Sequence, residues 1–264
     1  MIPLVLVLVL SLVILGMQYR EQAIENIRGV QKGVAAELQS DVDFMSMRLS
    51  QLINVNDNMV IQYAVAMNEA DQDARYDAQK KLDQAGNMVI EPVKDVVSIG
   101  FYMKNGNAFF LKSSIKRTIE ETRAKQWYQD ALQNLNSVKI GSYQTRKASD
   151  LYLGGSRDQL VLIYALSPNS MIDRSQSVEM VVLYQTSDAG NAIRNYNRNY
   201  IRGNNKLGIM QIVGENGEAI YKTEEIAVKA ARGYTCVRTP IELENATWYL
   251  SLIHISEPTR HSLI

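Results

Sequence analysis

The residues with the greatest capacity for chemistry are few in this 264-residue chain, and they are unevenly placed. Both histidines, His254 and His261, fall within the last eleven residues, and the single cysteine, Cys236, cannot form a disulfide within the chain. The sequence contains no P-loop, no Gly-x-Ser-x-Gly, no His-Glu-x-x-His and no glycine-rich dinucleotide turn. We therefore expect no catalytic residue, no metal site and no cofactor.

Binding without reaction is a second kind of chemistry, and an arginine close to an aromatic pair offers it. Arg123 stands four residues before Trp127, which is followed by Tyr128, in the stretch RAKQWYQDAL. A guanidinium can hold a carboxylate or phosphate through two parallel hydrogen bonds, and aromatic rings supply flat apolar walls with a polar tip. The alternative is structural, with Trp127 in the core and Arg123 in solvent. The residues alone leave both interpretations open.

Charge and hydropathy limit the partners that this chain can have. It carries 28 basic and 28 acidic side chains, and this balance argues against a nucleic-acid surface, which needs a basic excess. Residues 1–17, MIPLVLVLVLSLVILGM, contain no charge, and a bilayer span takes roughly 20 apolar residues. We interpret this segment as a membrane anchor and leave an uncleaved signal sequence open. Both interpretations place the rest of the chain outside the cytoplasm.

A helical stripe follows the apolar segment, from residue 18 to about residue 53. Apolar residues recur there at steps of three and four, which predicts one long helix with a buried face. The stripe comprises Ile24, Ile27, Val30, Val34, Leu38, Val42, Met45, Leu49 and Leu52. Two partners for that face are equally compatible with the pattern. The helix is either a signalling stalk that pairs with a second copy or a helix packed on its own domain.

Two similar hairpins are predicted further along the chain. Asn-Gly turns at residues 105–106 and 216–217 lie within YMKNGNAFF and IVGENGEAIY, and Asn-Gly favours tight turns because both positions tolerate positive φ. Between them, a helix from Gln126 and the strands VKIGSY, DQLVLIYALSP and SVEMVVLYQTS predict an antiparallel sheet with helices along one face. YTCVRTPIEL and ATWYL predict the closing strands of a smaller unit. The recurrence suggests two copies of one α/β module, with chance similarity as the alternative.

This order of elements resembles the double Cache sensor domains of bacterial transmembrane receptors, from Met1 to Leu250. The local matches are RAKQWYQDAL, LIYALSP and VEMVVLYQTS, and the nearest resemblance is to Gram-positive sensor histidine kinases. It implies an α+β fold, in which a long N-terminal helix (anchor plus stalk) precedes two tandem PAS-like modules with antiparallel sheets. The implied domains are an anchor at 1–17, a stalk and helical region at 18–95, a membrane-distal module at 96–200 and a truncated membrane-proximal module at 201–250.

The resemblance also implies a function. The chain would be the ligand-sensing region of a truncated receptor in the cell membrane, with residues 18–250 extracytoplasmic, a nutrient-like small molecule as ligand and a homodimer as assembly. The full-length parent would be a two-component sensor histidine kinase; the alternatives are a chemoreceptor and a non-sensing anchored adhesion or structural protein. The implied ligand-binding candidates are Trp127, Tyr128, Arg123, Tyr102, Tyr143 and Tyr164. Amino-acid-binding members have the arginine two residues before the tryptophan, whereas Arg123 stands four before.

The two histidines belong to a stretch of different origin. Residues 250–260, LSLIHISEPTR, match the reading-frame translation of a transposase adapter used to prepare sequencing libraries. Pro258 and the charged residues around it would also end a strand that begins at ATWYL, because proline cannot donate to a sheet. We therefore expect residues 251–264 to be an artefactual tail outside the fold, and we assign no chemistry to His254 or His261.

Overall fold

The computed structural model describes residues 2–55, 72–90, 95–104, 106–112, 119–136, 141–151, 159–166, 178–201, 208–223, 234–243 and 246–255. The helices in these ranges are α1 (Ile2–Val55), α2 (Gln72–Ile90), α3 (Ile119–Arg123), α4 (Gln126–Asn136), α5 (Ala148–Leu151) and α6 (Ala189–Ile201). The strands are β1 (Val96–Met103), β2 (Ala108–Leu111), β3 (Gly141–Lys147), β4 (Leu160–Leu166), β5 (Val178–Ser187), β6 (Ile209–Val213), β7 (Ala219–Tyr221), β8 (Tyr234–Glu242) and β9 (Thr247–Ile255).

The strands form two separate antiparallel sheets, and this confirms the predicted fold class. The first sheet has five strands in the order β2-β1-β5-β4-β3, and the second has four in the order β7-β6-β9-β8. One of the two predicted hairpins lies at an edge of each sheet. In the first sheet β1 pairs with β2, and in the second β6 pairs with β7. The long helix α1 precedes both sheets.

The two hairpins share the same backbone hydrogen bonds. In the first, Met103 N donates to Asn107 O and Gly106 N donates to Met103 O. In the second, Gly214 and Gly217 donate the corresponding bonds, to Glu218 O and Gly214 O. The turn glycines have φ of 99° and 81°, values that a residue with a Cβ rarely adopts. Asn105 lies outside the described residues. The sequence similarity of the two turns therefore corresponds to one shared turn geometry.

The first sheet is buried on both faces, which differs from the predicted arrangement with helices along one face. On β4, Leu160, Leu162 and Tyr164 belong to the core cluster that includes α1, whereas Val161 and Ile163 belong to the cluster beneath α4. Successive side chains of a strand point to opposite faces, so a strand covered on both sides shows an uninterrupted apolar run. Helix α1 covers one face of the sheet and α4 covers the other.

The predicted stripe of α1 packs on the chain's own sheets. Leu38, Met45, Leu49 and Leu52 are fully buried, and with Ile27 they belong to the core cluster that includes residues of both sheets. Of the two partners that the sequence left open, the structure therefore shows packing on the chain's own domain. Val30 departs from the stripe, because 46% of its surface is exposed.

Toward its N-terminus α1 continues beyond the sheets. Its described apolar side chains in this part are exposed, and they comprise Val7, Leu10, Leu12, Val13, Ile14, Leu15 and Met17. Met1 and the side chains of residues 2–6, 8 and 9 in the predicted anchor lie outside the described residues. Among the residues that are described, no helix combines the length and apolarity needed to cross a membrane.

Strand β9 extends past Leu250, where we expected the fold to end. Ser251 and Leu252 are buried, and they pair with β6 on one side and β8 on the other. The strand ends at Ile255, five residues into the predicted tail. This extension is possible because Leu250 and Leu252 keep the alternation that places apolar side chains on the buried face. Residues 256–264, including Pro258 and His261, lie outside the described residues, as does the side chain of His254.

Candidate functional site

Four aromatic rings cluster on the α4 face of the first sheet. Tyr102 on β1 and Tyr184 on β5 are buried, and their hydroxyl oxygens lie 2.8 Å apart. Tyr128 on α4 packs edge-on against Tyr102, with 5.0 Å between ring centroids. Trp127 packs edge-on against Tyr184 at 6.0 Å. Edge-to-face pairs at these separations are favourable because the positive ring edge meets the negative ring face. All four side chains are buried, with Trp127 at 4% exposure and the other three at 1% or less, and we name this packed group the aromatic floor.

A polar triad lies at the side of this floor. Arg123 Nη2 is 3.2 Å from Glu179 Oε2 and also donates to the carbonyl oxygen of Met103. The hydroxyl of Tyr128 donates to the same carboxylate oxygen at 2.5 Å. The side chains of Arg123 and Glu179 are 26% and 22% exposed to solvent, so the ion pair is accessible from solvent. It is a charged group placed directly beside apolar rings.

One donor of this triad has no partner. Arg123 Nε is buried and makes no hydrogen bond within the described part of the chain. A buried donor left unsatisfied costs about 1–3 kcal/mol, so a group that accepted from it would be favoured. Arg123 is the last residue of α3.

Burial holds the tyrosines of the cluster in their protonated form. It raises the pKa of Tyr102 above the ordinary tyrosine value, and it raises the pKa of Tyr184 as well. Burial also raises the pKa of Tyr128, and the hydrogen bond that its hydroxyl donates to Glu179 adds to the effect. Each hydroxyl therefore remains a neutral donor and acceptor at physiological pH. The cluster can orient a polar molecule, but it offers no general base among its tyrosines.

The corner between α3 and α4 holds Arg123 and the aromatic pair in place. Gln129 Nε2 donates to the carbonyl oxygen of Arg123 at 2.8 Å, so it caps the end of α3. Gln144 on β3 donates to the carbonyl oxygen of Trp127 at 2.9 Å and ties α4 to the sheet. Gln126 reaches Asp130 one turn later along α4, at 2.7 Å. The corner is thus fixed by side-chain amides as well as by apolar packing.

The structure divides the six predicted site residues between two places. Arg123, Trp127, Tyr128 and Tyr102 come together in the cluster described above. Tyr164 lies on the opposite face of the sheet, in the core cluster that includes α1. Tyr143 stacks on Tyr164, with ring centroids 4.3 Å apart.

Tyr143 also lines a cleft between the two sheets. The cleft has a volume of about 630 Å³ and is bounded by α4, by β3 and by the hairpin that joins β6 to β7. Trp248 on β9 reaches it from the second sheet. Below the cleft, Thr145 Oγ1 donates to the carbonyl oxygen of Ile220 at 3.5 Å and links the two sheets.

Sequence reasoning did not select two members of the cluster, Glu179 and Tyr184. Both lie on β5, in the run VEMVVLYQTS, which indicates a buried strand. A signal for Glu179 was present, because it is the only charged residue in that run. A carboxylate within a buried strand needs a partner, and Arg123 supplies it. No comparable signal marks Tyr184, since aromatic residues are common in ordinary strands.

Metal coordination has no support in the described residues, where no three His, Cys, Asp or Glu side chains are grouped so that they could hold an ion.

Comparison with known proteins gave matches among solved structures alone. No family model matches the sequence, and no curated protein matches it. The ligand-binding domain of the Pseudomonas fluorescens chemoreceptor CtaA, solved with L-isoleucine, is 15% identical, with 89% of this chain and 93% of that chain covered and a TM-score of 0.46. The ligand-binding domain of the Pseudomonas aeruginosa PAO1 amino acid chemoreceptor PctB, solved with L-Arg, is 12% identical, with 91% and 98% covered and a TM-score of 0.48.

A third similar structure comes from another bacterial genus. It is a domain of a protein assigned to the sensory box/GGDEF family in Vibrio parahaemolyticus, 12% identical, with 87% of this chain and 97% of that chain covered and a TM-score of 0.43. The three TM-scores lie below 0.5 and the identities below 25%. These similarities therefore transfer neither a ligand nor an output to this chain.

Proposed function

We propose that this chain is the extracytoplasmic ligand-sensing region of a transmembrane signalling receptor, and that a nutrient-like small molecule binds at the Arg123 cluster. The observation that carries the proposal is the partly exposed Arg123–Glu179 pair beside the aromatic floor, with Arg123 Nε unpartnered. A guanidinium and a carboxylate can fix the polar groups of a ligand, and the buried rings behind them hold Tyr128 and the ion pair in position. The ligand would carry an oxygen acceptor, such as a carboxylate or carbonyl, for Arg123.

Strand β5 connects this cluster to the long helix. Met180, Val182 and Tyr184 lie in the cluster beneath α4, whereas Val181 and Leu183 lie in the core shared with α1. A ligand that shifted the aromatic floor would move both sets together, because they alternate along one backbone. A ligand changes the balance between two states only by its difference in affinity for them. The signal would thus be a displacement of α1 against the sheet.

The proposal extends to anchoring and assembly. Residues 1–17 are the membrane anchor, residues 18–250 lie outside the cytoplasm and the receptor is a homodimer. The exposed apolar side chains along the first part of α1, such as Leu12 and Leu15, support an anchor because water is an unfavourable surrounding for them. The sheets of residues 96–200 and 201–250 are the distal and proximal modules, supported by their matching hairpins.

The parent is proposed to be a two-component sensor histidine kinase, and a chemoreceptor is the alternative output. A cytoplasmic sequence with a kinase core would decide for the first, and a long methyl-accepting coiled coil would decide for the second. A different class of function, an anchored adhesion or structural protein without a ligand, is favoured by one observation. The rings of Tyr102, Tyr128, Trp127 and Tyr184 already pack on one another, as they would in a core without a binding role.

Ligand binding by the full chain in lipid nanodiscs tests the proposal. We expect amino acids, organic acids or sugars from a nutrient panel to raise the melting temperature. Arg123→Gln should then weaken binding of the active compound roughly 10- to 100-fold, because a charge-assisted hydrogen bond contributes about 1.5–3 kcal/mol. Arg123→Lys should lose less than Arg123→Gln because it keeps the charge.

The matched control is Arg28→Gln, which removes an exposed arginine paired with Glu25. It should leave binding unchanged. A panel without any active compound, or an active compound that binds equally well to Arg123→Gln, would favour the adhesion or structural alternative.

Residues 251–264 are proposed to be a translated adapter, on the evidence of the match LSLIHISEPTR. Sequencing the uninterrupted gene tests this proposal. We expect the codons after Leu250 to encode a different continuation of β9. The two buried positions that Ser251 and Leu252 now occupy should then carry apolar residues. Recovery of the same fourteen residues from the genome would show that the tail is native.

A further inference from the structure

The cleft between the two sheets carries more acidic than basic charge. Its lining includes the carboxylates of Asp130 and Glu218 and one guanidinium, that of Arg146. Asp150, an exposed residue of α5, also acts on the charge of Arg146. Three carboxylates thus accompany one cation here, and an excess of one sign in a cleft raises the local concentration of the opposite charge. The cleft therefore favours a positively charged molecule.

Arg146 already has partners within the chain. It donates through Nη1 to the carbonyl oxygen of Thr145 at 2.6 Å and through Nη2 to Gln144 Oε1 at 3.1 Å. Burial lowers the pKa of Arg146, whereas the charges of Asp130 and Asp150 raise it. The two carboxylates thus compensate this guanidinium, so a ligand need not supply an anion.

Glu218 is the carboxylate of the cleft that remains available. It is exposed on the hairpin that joins β6 to β7, and within the described residues its side chain forms no ion pair and accepts no hydrogen bond. A Cβ at position 214 would overlap Glu218 Oε1, so the carboxylate lies over the backbone of Gly214. The φ of Gly214 is not positive, so its backbone does not require glycine. The missing side chain instead leaves room for the carboxylate.

The wall formed by α4 supplies a second carboxylate. Asp130 and Gln133 occur at i and i+3, on the same face of the helix. Asp130 accepts from Gln126 at 2.7 Å, and a carboxylate has about four lone-pair sites, so it retains capacity for a further donor. Tyr143 and Ile220 are half-buried and supply apolar surface. The volume of about 630 Å³ is within the range of about 300–1,000 Å³ that is typical of ligand pockets.

We propose that this cleft binds a linear di- or polyamine, at a site separate from the Arg123 cluster. Two carboxylates on facing walls suit a ligand with two positive ends. One ammonium group meets Glu218 and a second meets Asp130, while the methylene groups between them lie along Tyr143 and Ile220. The amine is then held between α4 and the β6–β7 hairpin, so it stabilises the relative position of the two sheets. The inference does not depend on the proposed sensing function of the Arg123 cluster.

Calorimetric titration of the full chain tests the site, in nanodiscs of phosphatidylcholine, whose zero net charge keeps the probes off the lipid. The probes are putrescine and spermidine, and butanediol is the neutral counterpart of putrescine. We expect both amines to bind and the diol to bind at least roughly tenfold more weakly, because only ammonium groups form charge-assisted hydrogen bonds with the carboxylates. Equal binding of the diol, or no binding of either amine at millimolar concentration, would overturn the proposal.

Three substitutions locate the amine. Glu218→Gln should weaken spermidine binding roughly three- to tenfold, because the charge-assisted hydrogen bond becomes a neutral one. Arg146→Gln should instead strengthen it roughly twofold or more, because a like charge leaves the cleft. Glu215→Gln is the matched control on the same hairpin, outside the cleft lining, and it keeps the oxygen that accepts from Thr247 N. It should leave the affinity within roughly twofold of the parent.

The remaining outcomes are decided by comparison of these variants. Unchanged affinity in Glu218→Gln would overturn the proposal. So would a loss in Glu215→Gln as large as that in Glu218→Gln, since net charge alone would then explain both. Loss of binding in Glu179→Gln but not in Glu218→Gln would place the amine at the Arg123 cluster and overturn the proposal as well.

Discussion

At the scale of single residues, the α1 side of the first sheet contains a group of interacting charged and polar side chains. Arg48 on α1 donates to Gln185 Oε1 at 2.9 Å, and Gln185 Nε2 is 3.4 Å from Asp41 Oδ1. Burial raises the pKa of Asp41, and nearby Asp95 and Asp188 raise it further, whereas a hydrogen bond from Ser187 and the charge of Arg48 lower it. Burial also raises the pKa of Glu37, one turn earlier. Folding therefore shifts the pKa of Asp41 upward, so its carboxyl is protonated more readily in the folded chain than in the unfolded chain.

The pH dependence of stability follows from the direction of that shift. Since the folded pKa of Asp41 is above its ordinary value, the group contributes stability below the ordinary value and loses it as pH rises through the folded pKa. Asp41→Asn removes the charge and still accepts from Gln185. We expect this variant to melt at a higher temperature than the parent at pH 7, and we expect the difference to vanish near pH 3.

Thermal unfolding between pH 3 and pH 8 measures the effect. Asp77→Asn, at an exposed position of α2, is the control and should follow the parent curve throughout. A constant difference between Asp41→Asn and the parent at every pH would show that the charge of Asp41 is not the cause.

At the scale of elements, two glutamines of α1 fix the helix against the second sheet. Gln31 is buried and donates to the carbonyl oxygens of Val237 and Leu250 at 3.0 and 2.6 Å. Gln39 donates to Glu242 O at 2.9 Å and accepts from Glu242 N at 2.7 Å. These two contacts are eight residues apart, about 12 Å along the helix axis. They set the register of α1 on β8 and β9.

Replacing Gln31 should weaken this attachment. Gln31→Leu leaves two carbonyl oxygens without their donor, and a buried unsatisfied group costs about 1–3 kcal/mol. We expect urea unfolding to show a loss of about 2 kcal/mol, with faster amide exchange along β8 and β9. Gln39→Ala, at the more exposed contact, should cost clearly less. Equal losses from both substitutions would contradict a special role for the buried glutamine.

Most of these elements could be predicted from the sequence, but their partners could not. The three-and-four spacing predicted α1, and the Asn-Gly pairs predicted both hairpins, because each signal is local. The partner of the α1 stripe was left open, since a buried face does not specify what covers it. Tyr164 could not be assigned to the face opposite Tyr102 either. Every residue of its strand, β4, is buried, so the strand lacks the alternation of buried and exposed residues that marks a face.

The candidate site shows the same limit of local signals. Arg123, Trp127 and Tyr128 were selected together because they are close in sequence. Glu179 lies 56 residues from Arg123, and only the sheet brings them together. The end of β9 was placed at Leu250 on the evidence of sequence origin, whereas the backbone pairing continues through Ile255.

At the scale of the whole molecule, α1 packs on both sheets at once. Gln31 donates to Leu250 O of the second sheet, and Arg48 donates to Gln185 of the first. An insertion of Gly-Gly near Ala35 would rotate one half of the helix by about 200° relative to the other. Both halves could then no longer keep their buried faces against the sheets.

We expect this insertion to abolish signalling by the proposed receptor in cells and to lower its melting temperature, because one half of α1 loses its buried contacts with the sheets. The measurements are the cellular output and the melting temperature. An insertion of Gly-Gly after Asn216, in the exposed turn of the second hairpin, is the control and should preserve output. A receptor that still signals after the insertion at Ala35 would disprove transmission through α1.

The double burial of β5 has a consequence for how such a protein can diversify. Each apolar side chain along this strand belongs either to the ring cluster or to the core of the long helix, so the strand offers little freedom to substitute without loss of packing. New ligand preferences would arise at the corner between α3 and α4, where amide caps hold a short exposed segment. Related chains that recognise different molecules should therefore vary most at the positions around Arg123 and keep β5 nearly constant in volume.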